Sequence, residues 1–121
     1  RAVSELYPEQ WHEVEMFASS VMSAVILADS DDLTDVEAIA ELGMGVRSVG
    51  AVAIALYCSI RHYDSFEQAV VAAVNHSGDS VATGAITGYI LGAALGYSAI
   101  PKHFTQDLES HDIIIEIADR L

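Results

Sequence analysis

The chain has 121 residues, a length for one domain spanning 1–121, with 18 Asp+Glu against 5 Lys+Arg and a formal net charge of −13. That balance speaks against nucleic acid or an anionic membrane as a partner, because both are polyanions and the Coulomb force on this chain is repulsive. Hydrophobic residues at 52% and a mean hydropathy of +0.35 exclude a disordered chain despite the charge. Cys58 is the single cysteine, so there is no internal disulfide and no thiolate zinc site. Arg1 to Gln10 lacks the apolar core of a secretory leader. The expected setting is therefore reducing and cytoplasmic.

The periodicity is helical throughout. Pro8 suits the first position of a helix that carries Trp11, Val14, Phe17, Val21, Met22, Val25 and Ile26. The acidic run Asp29 to Asp32 stops it. Thr34-Asp35-Val36-Glu37 reads as a capping box opening a short second helix, which ends at Gly43 or Gly45. Ser48 can cap a third helix through Val52, Ile54, Leu56 and Ile60. Asp64 or Ser65 can cap a fourth, with Phe66, Val70, Val71 and Val74 on one face. A polar turn from Asn75 to Ser80 precedes a fifth helix running to about Gly96. Ile100-Pro101 breaks the chain, a short helix is expected over 102–108, and Ser110 can cap a last one over 112–121. No alternating polar and apolar run appears, so the fold class is all-α, a compact bundle of about five to seven helices.

From Ser80 to Ile100 there is no charged residue, a span nearly long enough for a bilayer. Four glycines, four Ser and Thr residues and the lack of a basic cluster at either end favour a buried helix instead. Gly84, Gly88, Gly92 and Gly96 recur every four residues and share one helical face. Each costs about 1 kcal/mol of helix propensity relative to Ala, so the strip suggests a close approach, by a neighbouring helix or by a ligand.

Chemistry-bearing residues concentrate in the turn. Asn75, His76, Asp79 and Ser80 are the candidate ligand-binding residues: a carboxylate beside free amides at a helix start suits a divalent cation or an anionic group. The alternative is that Asp79 or Ser80 caps the fifth helix and His76 is a hydrogen-bonded turn residue. No catalytic residue emerges. Ser77 and Ser80 have a histidine nearby in sequence, but nothing marks a nucleophile with an oriented base. His62, His103 and His111 lack metal-ligand spacing, and Cys58 reads as core. Asp29, Asp31, Asp32 and Asp35 imitate a calcium loop in composition alone, since Thr34 and Ala40 occupy its glycine and closing glutamate positions.

The stretch from Ala73 to Gly96, followed by Ala99-Ile-Pro101, closely resembles the C-terminal signature of the ADP-ribosylglycohydrolase family. The resemblance extends to Leu42-Gly-Met-Gly45, Ala53-Ile-Ala-Leu-Tyr57, Phe66-Glu-Gln-Ala69 and residues 112–121. It implies a fragment of a larger all-α fold that removes ADP-ribose from modified acceptors with two magnesium ions. In the family those ions are held by an early Gly-Asp motif, absent here, and a late one of the form Gly-Asp-Ser/Thr-Asp-Ser/Thr. Asp79 matches the first late carboxylate, a vestigial metal ligand, and Ser80 the intervening hydroxyl. Val81 stands at the second carboxylate and Ala82 at the last hydroxyl. Val46, Val49 and Gly50 similarly replace the aromatic and acidic residues that tend to follow the Leu-Gly-Met-Gly segment.

Magnesium requires near-octahedral oxygen coordination, and neither a valine nor an alanine side chain offers oxygen. The expectation is a catalytically inactive relative without cofactor, binding magnesium only if the motif is restored, and serving as an oligomerising or interaction module. A homo-oligomer or a missing partner segment would cover its apolar faces. The alternative is a magnesium-dependent hydrolase half-site completed by another chain.

Overall fold

The structure, a computed structural model, describes residues 11–43 and 48–121. Among these lie six α-helices and no strand: α1 (Trp11–Ala28), α2 (Asp35–Glu41), α3 (Ser48–Arg61), α4 (Phe66–Val74), α5 (Ser80–Leu95) and α6 (His111–Asp119). Two 3-10 turns, Tyr97–Ala99 and Lys102–Phe104, connect α5 to α6. The all-α expectation holds. Pro8, Gly45 and Val46 lie outside the described residues, as do the side chains of Ser48 and Val49.

The fold is built around α3. Ala51, Ala53, Ile54, Ala55, Tyr57, Cys58 and Ser59 are all buried, so this helix is enclosed on nearly every side, as an apolar helix in a bundle core must be. α1, α4 and α5 pack along it, and α4 also packs against α5. One core cluster joins Ala24 and Ala28 of α1, Ala38 and Ile39 of α2, Ile54, Tyr57 and Cys58 of α3, and Ala72 and Ala73 of α4. A second joins Phe66 and Ala69 to Leu91, flanked by Val70, Leu95 and Ile100. Phe104 seats its ring edge-to-face on Phe66 at 5.7 Å and fastens the second 3-10 turn to α4.

Alanine does the close packing, and this corrects two expected faces. In α1 the fully enclosed positions are Ala24 and Ala28, while Val14, Phe17, Met22, Val25 and Ile26 are exposed. In α4 the buried residues are Phe66, Ala69, Ala72 and Ala73, with Val71 and Val74 outside. Helix axes approach closely only where side chains are small, so the contact seam follows alanines rather than the largest hydrophobes.

The helix ends follow local chemistry. Thr34 and Glu37 form the capping box, with the Thr34 hydroxyl accepting from the Glu37 amide at 3.3 Å. α1 ends before the acidic run, and Arg61 donates to the Ala28 carbonyl at 3.4 Å and to Asp31 at 3.0 Å, tying the C-termini of α1 and α3 together. Ser65, not Asp64, caps α4 by accepting from the Gln68 amide. Gly43 and Gly96 both take φ of +86°, where a β-carbon is disfavoured, just beyond α2 and α5. Two terminal expectations need correction. The segment after Pro101 forms a 3-10 turn rather than a helix through 108. Ser110 adopts left-handed φ of 60° and makes no side-chain cap, so α6 starts at His111.

The glycine strip divides by environment. A β-carbon at Gly84 would meet the Val74 side chain at 2.6 Å, and one at Gly88 would stand 4.0 Å from Phe66, so this half of α5 lies against α4. Nothing lies within 4 Å of the corresponding point at Gly92. Gly92→Ala should therefore gain about 1 kcal/mol from helix propensity, seen as a rise of about 4 °C or more in melting temperature. Gly84→Ala, which must displace Val74, should fall short of that gain in the same thermal scan.

Candidate functional site

The turn between α4 and α5 is held by a relay of hydrogen bonds around Thr83, which is fully buried. The Gly78 amide donates to His76 Nδ1 at 3.0 Å, so that nitrogen carries a lone pair and the ring proton sits on Nε2. Nε2 then donates to the Thr83 hydroxyl at 2.9 Å. The hydroxyl in turn donates a hydrogen bond to the Ala73 carbonyl in the last turn of α4. His76 is thus the hydrogen-bonded turn residue of the alternative reading, its ring spanning the turn. One turn further along α5, Thr87 donates to the Thr83 carbonyl at 2.7 Å and is likewise buried.

Asp79 is the N-cap of α5, its Oδ1 accepting from the Ala82 amide at 3.1 Å. Ser80 begins the helix and is half-buried. Val81 projects from the first turn with 82% of its surface exposed. Ala82 completes that turn without a polar side-chain atom. Asn75, the C-cap of α4, lines a different space: a cleft of about 600 Å³ along α4, bounded also by Asp35, Val36, His62, Ser65, Gln68 and Val71. His76, Asp79 and Ser80 do not line it, so the four candidates do not converge on one cavity.

A cluster that spacing did not reveal sits at the other end of that cleft. Asp35, in the first turn of α2, accepts from the buried Tyr57 hydroxyl at 2.7 Å through Oδ1. His62 Nε2 meets its Oδ2 at 2.8 Å. The three residues are separated by 22 and 27 positions in sequence, and only the need of a buried phenol for an acceptor hints at the contact. Burial pushes the Tyr57 phenol well above its ordinary value, and the Asp35 carboxylate adds to the shift. Burial, with Asp35 again assisting, lifts the Cys58 thiol to about 12. Cys58 therefore stays a neutral thiol inside the core, not a nucleophile.

The residues at the turn do not fit a magnesium pair. One oxygen of Asp79 is engaged by the backbone, and positions 81 and 82 present only carbon to solvent. Among the described residues no group of three or more His, Cys, Asp or Glu side chains could hold a metal ion. No helix among them is long and apolar enough to cross a membrane.

An all-α bundle with this glycine-lined helix and its Gly-Asp turn defines a class: the ADP-ribosylglycohydrolase family model matches residues 1–121, and the chain belongs to that family. Its relatives include an uncharacterized protein of Archaeoglobus fulgidus, 31% identical over 97% of this chain and 38% of that protein. The bovine and human ADP-ribosylhydrolase ARH3 proteins are each 24% identical over 83% of this chain and 30% of their own length. The chain thus spans between about a third and two fifths of these relatives. No solved structure matches it.

If the Thr83 hydroxyl is what holds the turn, Thr83→Val should leave the His76 ring proton and the Ala73 carbonyl unpaired. The expected loss is about 1–3 kcal/mol, read as a lower urea midpoint with an unchanged denaturant slope.

Proposed function

We propose that this chain is a metal-silent member of the ADP-ribosylglycohydrolase family, without magnesium-dependent hydrolase activity of its own, which works as an interaction or oligomerising module. The observation that carries this reading is the first turn of α5. The two positions that supply oxygen in the family motif are occupied by Val81, 82% exposed, and Ala82, while Asp79 is drawn into capping. A single exposed carboxylate holds a hard divalent cation weakly, because magnesium gives up its own water reluctantly and needs several anionic oxygens to bind tightly. The interaction role is supported by the large hydrophobes left outside on α1 and α6.

A second reading has Asp79 contributing one ligand to a hydrolytic centre completed by another chain. The relatives' greater length leaves room for it, since the matches cover only 38% and 30% of two of them. The side chain at position 81 disfavours it, because no partner restores oxygen to a valine.

Isothermal titration of the chain with magnesium should give no saturable uptake. Val81→Asp combined with Ala82→Ser should raise divalent-ion affinity at least about tenfold, equivalent to about 1.4 kcal/mol. The exposure of Val81 means that the first of these changes disturbs no packing. Saturable magnesium binding by the unaltered chain, or release of ADP-ribose from a modified protein in its presence, would overturn the reading.

A further inference from the structure

His76 differs in kind from three other histidines of the chain. His62 meets Asp35, His103 meets Glu67 and His111 meets Asp112, at 2.8, 3.3 and 3.3 Å, and a charged ring suits each of those contacts. Among the described residues no carboxylate pairs with the His76 ring. Its Nδ1 accepts from the Gly78 amide at 3.0 Å, and its Nε2 donates to the Thr83 hydroxyl at 2.9 Å. A backbone amide can only donate, so the first of these bonds exists only while Nδ1 keeps its lone pair. A proton placed there would set two N–H groups against each other.

We propose that His76 makes the turn between α4 and α5 acid-sensitive: closed on Gly78 while the ring is neutral, released from Gly78 when the ring takes a second proton. The release is one-sided. A charged ring still carries its Nε2 proton, so the bond to Thr83 survives, and Thr83 still donates to the Ala73 carbonyl. The start of α5 thus stays fastened to α4 while the loop ahead of it loosens. The packed elements do not restore the lost bond. α4 carries a single titratable side chain, Glu67, at its far end against His103, and α5 carries only the exposed Tyr89. α3, packed on both, offers Tyr57 bonded to Asp35, the neutral thiol of Cys58 and Arg61 bonded to Asp31. Asp79, the one carboxylate of the turn, holds the Ala82 amide through Oδ1. The unfolded chain takes the proton freely, so acid favours the open turn. Stability falls with falling pH, by at most about tenfold in the folding equilibrium per pH unit for one proton. This device is independent of the interaction role proposed above.

The test follows the whole chain by proton–nitrogen NMR from about pH 8 to about pH 5, the interval in which histidine titrates. The Gly78 amide proton should move towards the position of an unbonded amide in step with protonation of His76 Nδ1, read from the ring nitrogen resonances. The Ala82 amide, whose acceptor is a carboxylate, should stay in place, because carboxylates titrate below that interval. His76→Asn is the control: an asparagine side chain accepts from the amide two residues on and takes no proton, so Gly78 should not move in that variant. Over the same interval the urea midpoint of the unaltered chain should drop relative to that of His76→Asn. A Gly78 amide that ignores protonation of the ring overturns the inference. So does a ring that stays neutral down to about pH 5, or a His76→Asn variant whose Gly78 amide shifts as the parent's does.

Discussion

The turn that carries the family signature depends on one buried hydroxyl. The Thr83 hydroxyl accepts from the His76 ring N–H and donates to the carbonyl of Ala73, so the end of α4 and the start of α5 are joined through a side chain that never reaches solvent. None of this involves position 81 or 82. The scaffold and the donor atoms are separable: the hydrogen bonds that shape the loop lie on its inner side, and the oxygens that would face a cation belong on its outer side. A chain can lose the second set and keep the first, because a buried hydroxyl left unpaired would be costly whereas an exposed valine costs little. The ordered turn and the oxygen-free side chains of Val81 and Ala82 are thus compatible within one arrangement.

The same division between small residues inside and large ones outside runs through the bundle. α3 is enclosed because its neighbours approach through alanines, and the hydrophobes that a larger core would swallow stay on the outer faces of α1 and α6. The net charge of −13 opposes self-association by repulsion, while apolar stripes on the surface favour contact with another polypeptide. The interaction role proposed above draws on both features.

Much of the architecture is legible from sequence. The capping box at Thr34, the stop after Ala28, the glycine end of α5 and the capping role of Asp79 are local signals, set by a few neighbouring residues, and the structure has each of them. The buried faces of α1 and α4 are not legible in this way. Hydrophobic weight points to Val25 or Val71, but the seam is decided by how closely two axes can approach, which depends on residues far away in the chain. The Asp35–Tyr57–His62 cluster escapes for the same reason, since α2 and the end of α3 meet only in three dimensions. The poor cap at Ser110 reflects backbone geometry, a left-handed residue, that a serine in sequence does not announce.

Membership in the ADP-ribosylglycohydrolase family therefore describes how this chain folds more firmly than what it does. The measurement that reaches the central claim most directly is the broadening of backbone amide resonances from Gly78 to Thr83 by added manganese, a paramagnetic stand-in for magnesium. If the loop has kept its shape without its donors, those amides should broaden no more than other amides beside exposed carboxylates, and without saturation. Saturable broadening centred on that turn, reversed by excess magnesium, would contradict the account.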